Sequence, residues 1–185
     1  MKKILLVLLA LVMCLGGCGA KNGESTEPAT EENTPDVNVS CEDLMWAAVN
    51  AVHFSEDGSL DGSDTYLPSE DNFDALEMAL WADQDFEDCP EYELLVDYAV
   101  LYLPYAYVTY EVAVFKADSA ENAEKLLDVL ERRIDTMAAG DKGFYDANFE
   151  KTIEDAQVYR DGKYAFMLIT GDGATSRAAV EELMK

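Results

Sequence analysis

The chain has 185 residues, 38 of them acidic and 13 basic, for a formal net charge of −25. So negative a surface excludes a nucleic-acid-binding role, because phosphates need a basic stripe, and it opposes lying flat on an anionic lipid leaflet. Partners that are cationic, neutral or bridged by a metal suit it instead.

Lys2 and Lys3 precede an apolar run from Ile4 to Val12 and then Leu15-Gly16-Gly17-Cys18. A basic start, an apolar stretch too short to span a bilayer and small residues before a cut describe a secretory signal that is removed, not a transmembrane helix. The thiol of Cys18 gives the cut its meaning, since it can take a diacylglyceryl group and remain as the lipidated first residue. Residues 1–17 are therefore predicted as a lipoprotein signal peptide. Cys14 goes with them, because Met13 is too large for the position before a signal-peptidase cut. Gly16, Gly17 and Gly19 oppose the alternative of an uncleaved anchor helix. Either way the rest of the chain is expected outside the cell, held at the outer face of the membrane by its anchor.

From Gly19 to Val39 the chain is Gly, Glu, Thr, Asn and Pro with almost no large apolar side chain, which cannot bury enough surface to offset ordering entropy. Residues 18–39 are read as the lipidated cysteine and a flexible acidic linker, with a reach of about 25 Å. Residues 40–185 are long enough for one ordinary core and short for two.

Ser40 with Asp43 three residues on makes an acidic capping box, and Leu44, Met45, Ala48, Val49 and Val52 fall on one face of a helix running to about Val52. The acidic, Gly- and Ser-rich stretch from Ser55 to Asp74 reads as a loop that turns into a short helix near Phe73, Leu76 and Leu80. Between Tyr98 and Phe115, Pro104 and Glu111 interrupt a hydrophobic run dominated by β-branched and aromatic residues, so two strands joined at Leu103-Pro104-Tyr105-Ala106 are expected. Val108, Tyr110, Val112 and Val114 alternate with Thr109, Glu111 and Ala113, the period of a sheet with one face on a core. Asp118 is expected to cap the next helix with Glu121 reaching back. Its stripe is Ala123, Leu126, Leu127, Leu130 and Ile134, Glu121–Lys125 and Asp128–Arg132 are favourable four-residue pairs, and Gly140 ends it. Ala156–Tyr159 and Tyr164–Thr170 flank Arg160-Asp161-Gly162-Lys163, where Asp-Gly suits a type I′ turn. A last helix turns Ala179, Val180, Leu183 and Met184 inward. The fold class is α+β: an antiparallel sheet of two hairpins with helices packed on one face.

Several of these segments together resemble a known family. They are the strand Glu111 to Phe115, the capped helix ending near Arg132-Arg133, a Tyr145-centred loop, Ala156-Gln157-Val158-Tyr159 and Gly162-Lys163-Tyr164. Over roughly residues 85 to 172 they resemble the domain of unknown function 4358 family. Its members resemble small secreted lipoproteins of Gram-positive, clostridial-type bacteria, so the resemblance implies an envelope location and supplies no activity. It also implies an arginine at the end of the central helix, a place for which Arg132 and Arg133 both qualify.

Candidate chemistry is sparse. Cys41 and Cys89 remain in an oxidising compartment, where one disulfide between them would add about 3 to 4 kcal/mol, although two buried free thiols look the same in sequence. With one histidine and no repeated CxxC, a zinc site is not expected. The acidic run Glu56 to Asp64 suggests calcium but lacks the glycine and glutamate spacing of an EF-hand, so a solvated loop is the simpler reading. His53 has no partner assignable from sequence, and favouring the C-terminal dipole of the first helix is its simpler role. Tyr98, Tyr102, Tyr105, Tyr107 and Tyr110 could form a sugar platform, but cross-strand packing accounts for them. Arg132 and Arg133 could receive an anionic ligand or pair with acids such as Asp128. The expectation is a non-catalytic envelope module with no cofactor and no metal, tied to the membrane through Cys18 and meeting an envelope protein or wall component. A small-ligand or divalent-cation binder is the alternative, and a hydrolase built on His53 a more distant one.

Overall fold

The computed structural model describes residues 38–52, 64–70, 89–103, 110–139 and 148–185. All of these lie within one unit, Thr34–Lys185. The segment 1–37, the expected helix near Phe73, Leu76 and Leu80, and the Tyr145-centred loop lie outside the described residues.

The first helix, α1, is Cys41–Ala51, and Ser40 precedes it in extended conformation. As the sequence indicates, Ser40 Oγ accepts from the Asp43 N–H at 3.1 Å, satisfying one of the donors a helix start leaves free. The Ser40 hydroxyl in turn donates to the Asp43 carboxylate at 2.6 Å. Strands follow at β1 (Asp64–Tyr66), β2 (Asp97–Tyr102) and β3 (Glu111–Lys116), then helices α2 (Ala120–Ala139) and α3 (Phe149–Glu154), then β4 (Gln157–Asp161), β5 (Tyr164–Ile169) and α4 (Gly173–Leu183). The five strands form one sheet in the order β1-β2-β3-β5-β4, and every neighbouring pair is antiparallel. The α+β architecture and both expected hairpins, β2–β3 and β4–β5, are present.

Helices cover both faces of this sheet, not one. Ala113 and Phe115 of β3, with Ala165, Met167 and Ile169 of β5, pack under Ala123, Leu126, Val129, Leu130 and Met137 of α2 and Phe149 of α3. Val112 and Val114, with Phe166 and Leu168, pack on the other side under Leu44, Met45, Ala48 and Val49 of α1 and Val180 of α4. All six residues of β5 are buried. Two central strands that are apolar on both sides would expose one hydrophobic face unless helices covered each.

Local chemistry departs from expectation in smaller ways. Ser119, not Asp118, caps α2, accepting from the Asn122 N–H at 3.2 Å. Asp118 instead accepts from the Asn122 side chain at 2.8 Å, and these bonds hold its carboxyl below the usual range. Glu121 pairs with Lys125 at 3.4 Å, as expected. The β4–β5 loop is Gly162-Lys163, one residue later than the Asp-Gly pair suggests, because Asp161 still pairs with Tyr164, and Gly162 supplies the positive φ of +53°. In α4, Leu183 is 45% exposed, while Ser176 and Val180 point inward. Ser176 and Thr170 share a buried hydroxyl hydrogen bond of 2.9 Å. Gly173 starts α4 where a Cβ would stand 2.3 Å from the Asp155 carbonyl oxygen, so only glycine lets α4 approach the end of α3 this closely.

Candidate functional site

The register places polar chemistry at the two ends of the sheet. At one end Tyr102, Glu111 and Ile169 lie opposite one another across β2, β3 and β5. At the other end Asp97, Lys116 and Tyr164 do so. Residues directly opposite in an antiparallel ladder project to the same face.

At the first end, Glu111 is 1% exposed and shares its face with Ala113 and Phe115, toward α2. On α2, Arg133 stands three residues after buried Leu130 and four before buried Met137, which turns it inward with a side chain 13% exposed. Its Nε donates to Glu111 Oε1 at 3.3 Å and its Nη2 to Oε2 at 2.9 Å, a two-pronged fit of guanidinium to carboxylate. Each carboxylate oxygen thus has its own donor. Arg132, one residue earlier, points away and reaches Glu91 at 3.4 Å with 47% of its side chain exposed. The two arginines that the sequence leaves equivalent are therefore separated by one step of helix rotation into a buried and a surface partner. The expected Asp128–Arg132 pair is replaced by the longer-range pairing with Glu91.

At the other end, Asp97 Oδ2 accepts from the Cys41 N–H and its Oδ1 from the Tyr98 N–H, both at 2.9 Å. Lys116 Nζ donates to the Asn38 side-chain oxygen at 2.6 Å and lies 5.0 Å from the centre of the Tyr164 ring. The Tyr164 hydroxyl donates to the Val39 carbonyl at 2.7 Å. A row of rings continues from there across the α1 and α4 side. Tyr164 stacks with Phe166 at 6.1 Å, Phe166 with Tyr159 at 4.7 Å, and the Arg177 guanidinium covers Tyr159 at 4.1 Å. Cations therefore close both ends of the row, where ring faces attract positive charge. Burial pushes the Tyr159 hydroxyl well above the usual tyrosine range.

The cysteines do not bond to each other. Both are free thiols, with Cys41 in the core on the α1 side of the sheet and Cys89 packed against the core on the α2 side. The sheet between them keeps apart two residues that sequence could not place. Burial, reinforced by the Asp97 carboxylate, pushes the Cys41 thiol far above its ordinary value. Cys89 is pushed up to about 11 by burial and by donating to Glu91, with Sγ 3.4 Å from Oε2. Neither carries appreciable thiolate near neutral pH.

Other sequence candidates divide between the described and undescribed residues. Cys18, His53, Tyr105, Tyr107 and the acidic run up to Ser63 lie outside the described residues, and Asp64 opens β1. Tyr98 packs on the α2 side and Tyr110 on the α1 side, so they share no platform. Among the described residues, no group of three His, Cys, Asp or Glu could hold a metal ion, and no helix is long and apolar enough to cross a membrane. Sequence reasoning passed over the Glu111–Arg133 pair. Its signal was a lone glutamate inside an apolar strand, since a buried charge demands a partner.

Residues 93–170 match a family model described as a domain of unknown function, DUF4358. The match takes in β2 to β5 with Glu111, Arg132 and Arg133, and stops short of α1 and α4. No curated protein and no solved structure matches the chain.

Proposed function

Because residues 93–170 belong to the DUF4358 family, whose function is unknown, we propose a role from the chain's own chemistry: a lipoprotein of the outer membrane face, anchored through lipid on Cys18, whose domain is a non-catalytic binding or interaction module. The observation that carries this reading is the sequence Lys2-Lys3, then the apolar run, then Leu15-Gly16-Gly17-Cys18. The interaction half draws on charge. Among the described residues Lys125, Arg132, Arg133, Arg160, Arg177 and Lys185 each pair with a glutamate, and 38 acidic against 13 basic residues leave the chain a large excess of acid. Such a surface suits a cationic or neutral envelope component.

Metabolic labelling with a fatty-acid probe tests the anchor. The parent chain takes up label, and Cys18→Ser loses it and is shed into the medium. Absence of label on the parent, or label unchanged in Cys18→Ser, overturns the placement. For the binding half, a melting temperature raised by calcium or another divalent cation would shift the reading from protein interaction to cation binding.

A further inference from the structure

We propose that the outer edge of β4 receives an extended basic segment of a partner protein, which joins the five-stranded sheet as a further strand with its cations on the α4 side and its apolar side chains on the α2 side. The inference rests on the interaction reading above and gives it a site.

The sheet ends at β4, and among the described residues no strand pairs with its outer edge. Hydrogen-bond phase decides what that edge offers. The Ala117 N–H donates to the Lys163 carbonyl at 2.9 Å, and main-chain groups alternate sides along an antiparallel strand. Ala165, Met167 and Ile169 therefore bond toward β3, and Tyr164, Phe166 and Leu168 toward β4, where their register partners are Asp161, Tyr159 and Gln157. The N–H and C=O groups of Val158 and Arg160 then point out from the edge, and among the described residues no main-chain bond engages them. Such a row is a template for an added strand. The opposite edge strand, β1, has only three residues and offers a shorter one.

Chemistry on the two sides selects the occupant. On the α2 side stand half-buried Val158, packed against the core, and Arg160, whose charge Glu124 meets at 2.7 Å. A side chain opposite these positions meets no excess charge, which suits an apolar residue. On the α4 side Tyr159 lies in the field of two acids, Asp161 and Glu181, and one cation, Arg177, which Glu181 holds at 2.6 Å. Exposed Asp161 is the charge in excess, so a lysine or arginine suits the positions opposite Tyr159 and Asp161. A second copy of the chain would instead bring a net charge of −25 against the same acids.

The test uses the full chain in mild detergent and a short peptide alternating valine with lysine, with a valine–glutamate peptide as its counterpart. Amide hydrogen exchange by NMR reads the edge. The lysine peptide should slow exchange of the Val158 and Arg160 N–H groups about tenfold or more and leave that of Tyr159, already bonded to β5, unchanged. The glutamate peptide should protect neither. Val158→Pro removes one outward donor while sparing the bonds to β5, and should abolish the protection of Arg160. Asp161→Asn with Glu181→Gln is the milder variant should the proline disturb the strand, and should weaken lysine-peptide binding about fivefold at low salt. Binding of the lysine peptide that leaves exchange at Val158 and Arg160 unchanged overturns the site while the broader interaction reading stands. Equal protection by the glutamate peptide overturns the basic partner, and protection that appears with rising protein concentration alone assigns the edge to a second copy and overturns the proposal.

Discussion

At one end of the sheet Asp97, Lys116 and Tyr164 each hold a different group of residues 38–41 through single hydrogen bonds. At the other, Glu111 meets both prongs of Arg133 away from water. The first arrangement is spread over several partners, so losing one leaves the rest in place. The second concentrates two charges in a site with little solvent, where each depends on the other. The end with Asp97, Lys116 and Tyr164 should therefore weaken by degrees, and the ion-pair end should fail sharply when either residue is removed.

Arg133→Met strands the Glu111 carboxylate in the core and is expected to lower stability by about 3 to 5 kcal/mol in urea unfolding. Asp97→Ala comes next. It removes the acceptor for the Cys41 and Tyr98 N–H groups and should cost about 1 to 2 kcal/mol, with the same readout. Tyr164→Phe keeps the ring row and removes the bond to Val39, a change of about 1 kcal/mol, and hydrogen exchange should rise first near residues 38–41. Arg132→Met separates the neighbouring arginines most cleanly, because its exposed pairing with Glu91 should contribute about 1 kcal/mol or less. If Arg132→Met proved as damaging as Arg133→Met, the distinction between buried and surface arginine would be lost. Cys89 offers a further check. With its thiol pushed up to about 11, alkylation in the folded state should be slow at neutral pH and quicken as pH rises toward that value.

The parts legible in sequence are those set by neighbours along the chain. The Ser40 cap, the α2 stripe and the β4–β5 hairpin follow from spacing of a few residues. Choices between adjacent candidates were less visible. Asp118 and Ser119 are both cap-forming residue types, and it is Ser119 that accepts from the Asn122 N–H. Contacts across the sheet were invisible. Alternation on β3 reads as one buried face, because nothing local says that α1 and α4 cover the side opposite α2. The three-residue strand β1 has too short a period to stand out from its acidic surroundings. Arg132 and Arg133 look equivalent until the helix phase, set by Leu130 and Met137, assigns one to Glu111. Asp97 and Tyr164 reach residues 38–41 across long stretches of chain, and no spacing rule announces such a meeting.

Glu111 and Arg133 are coupled through a two-pronged ion pair with little solvent, and a double-mutant cycle with Glu111→Leu and Arg133→Met, singly and together, tests this most directly by urea unfolding. A coupling of about 2 kcal/mol or more, with the double variant more stable than either single one, is expected. Losses that simply add would contradict it.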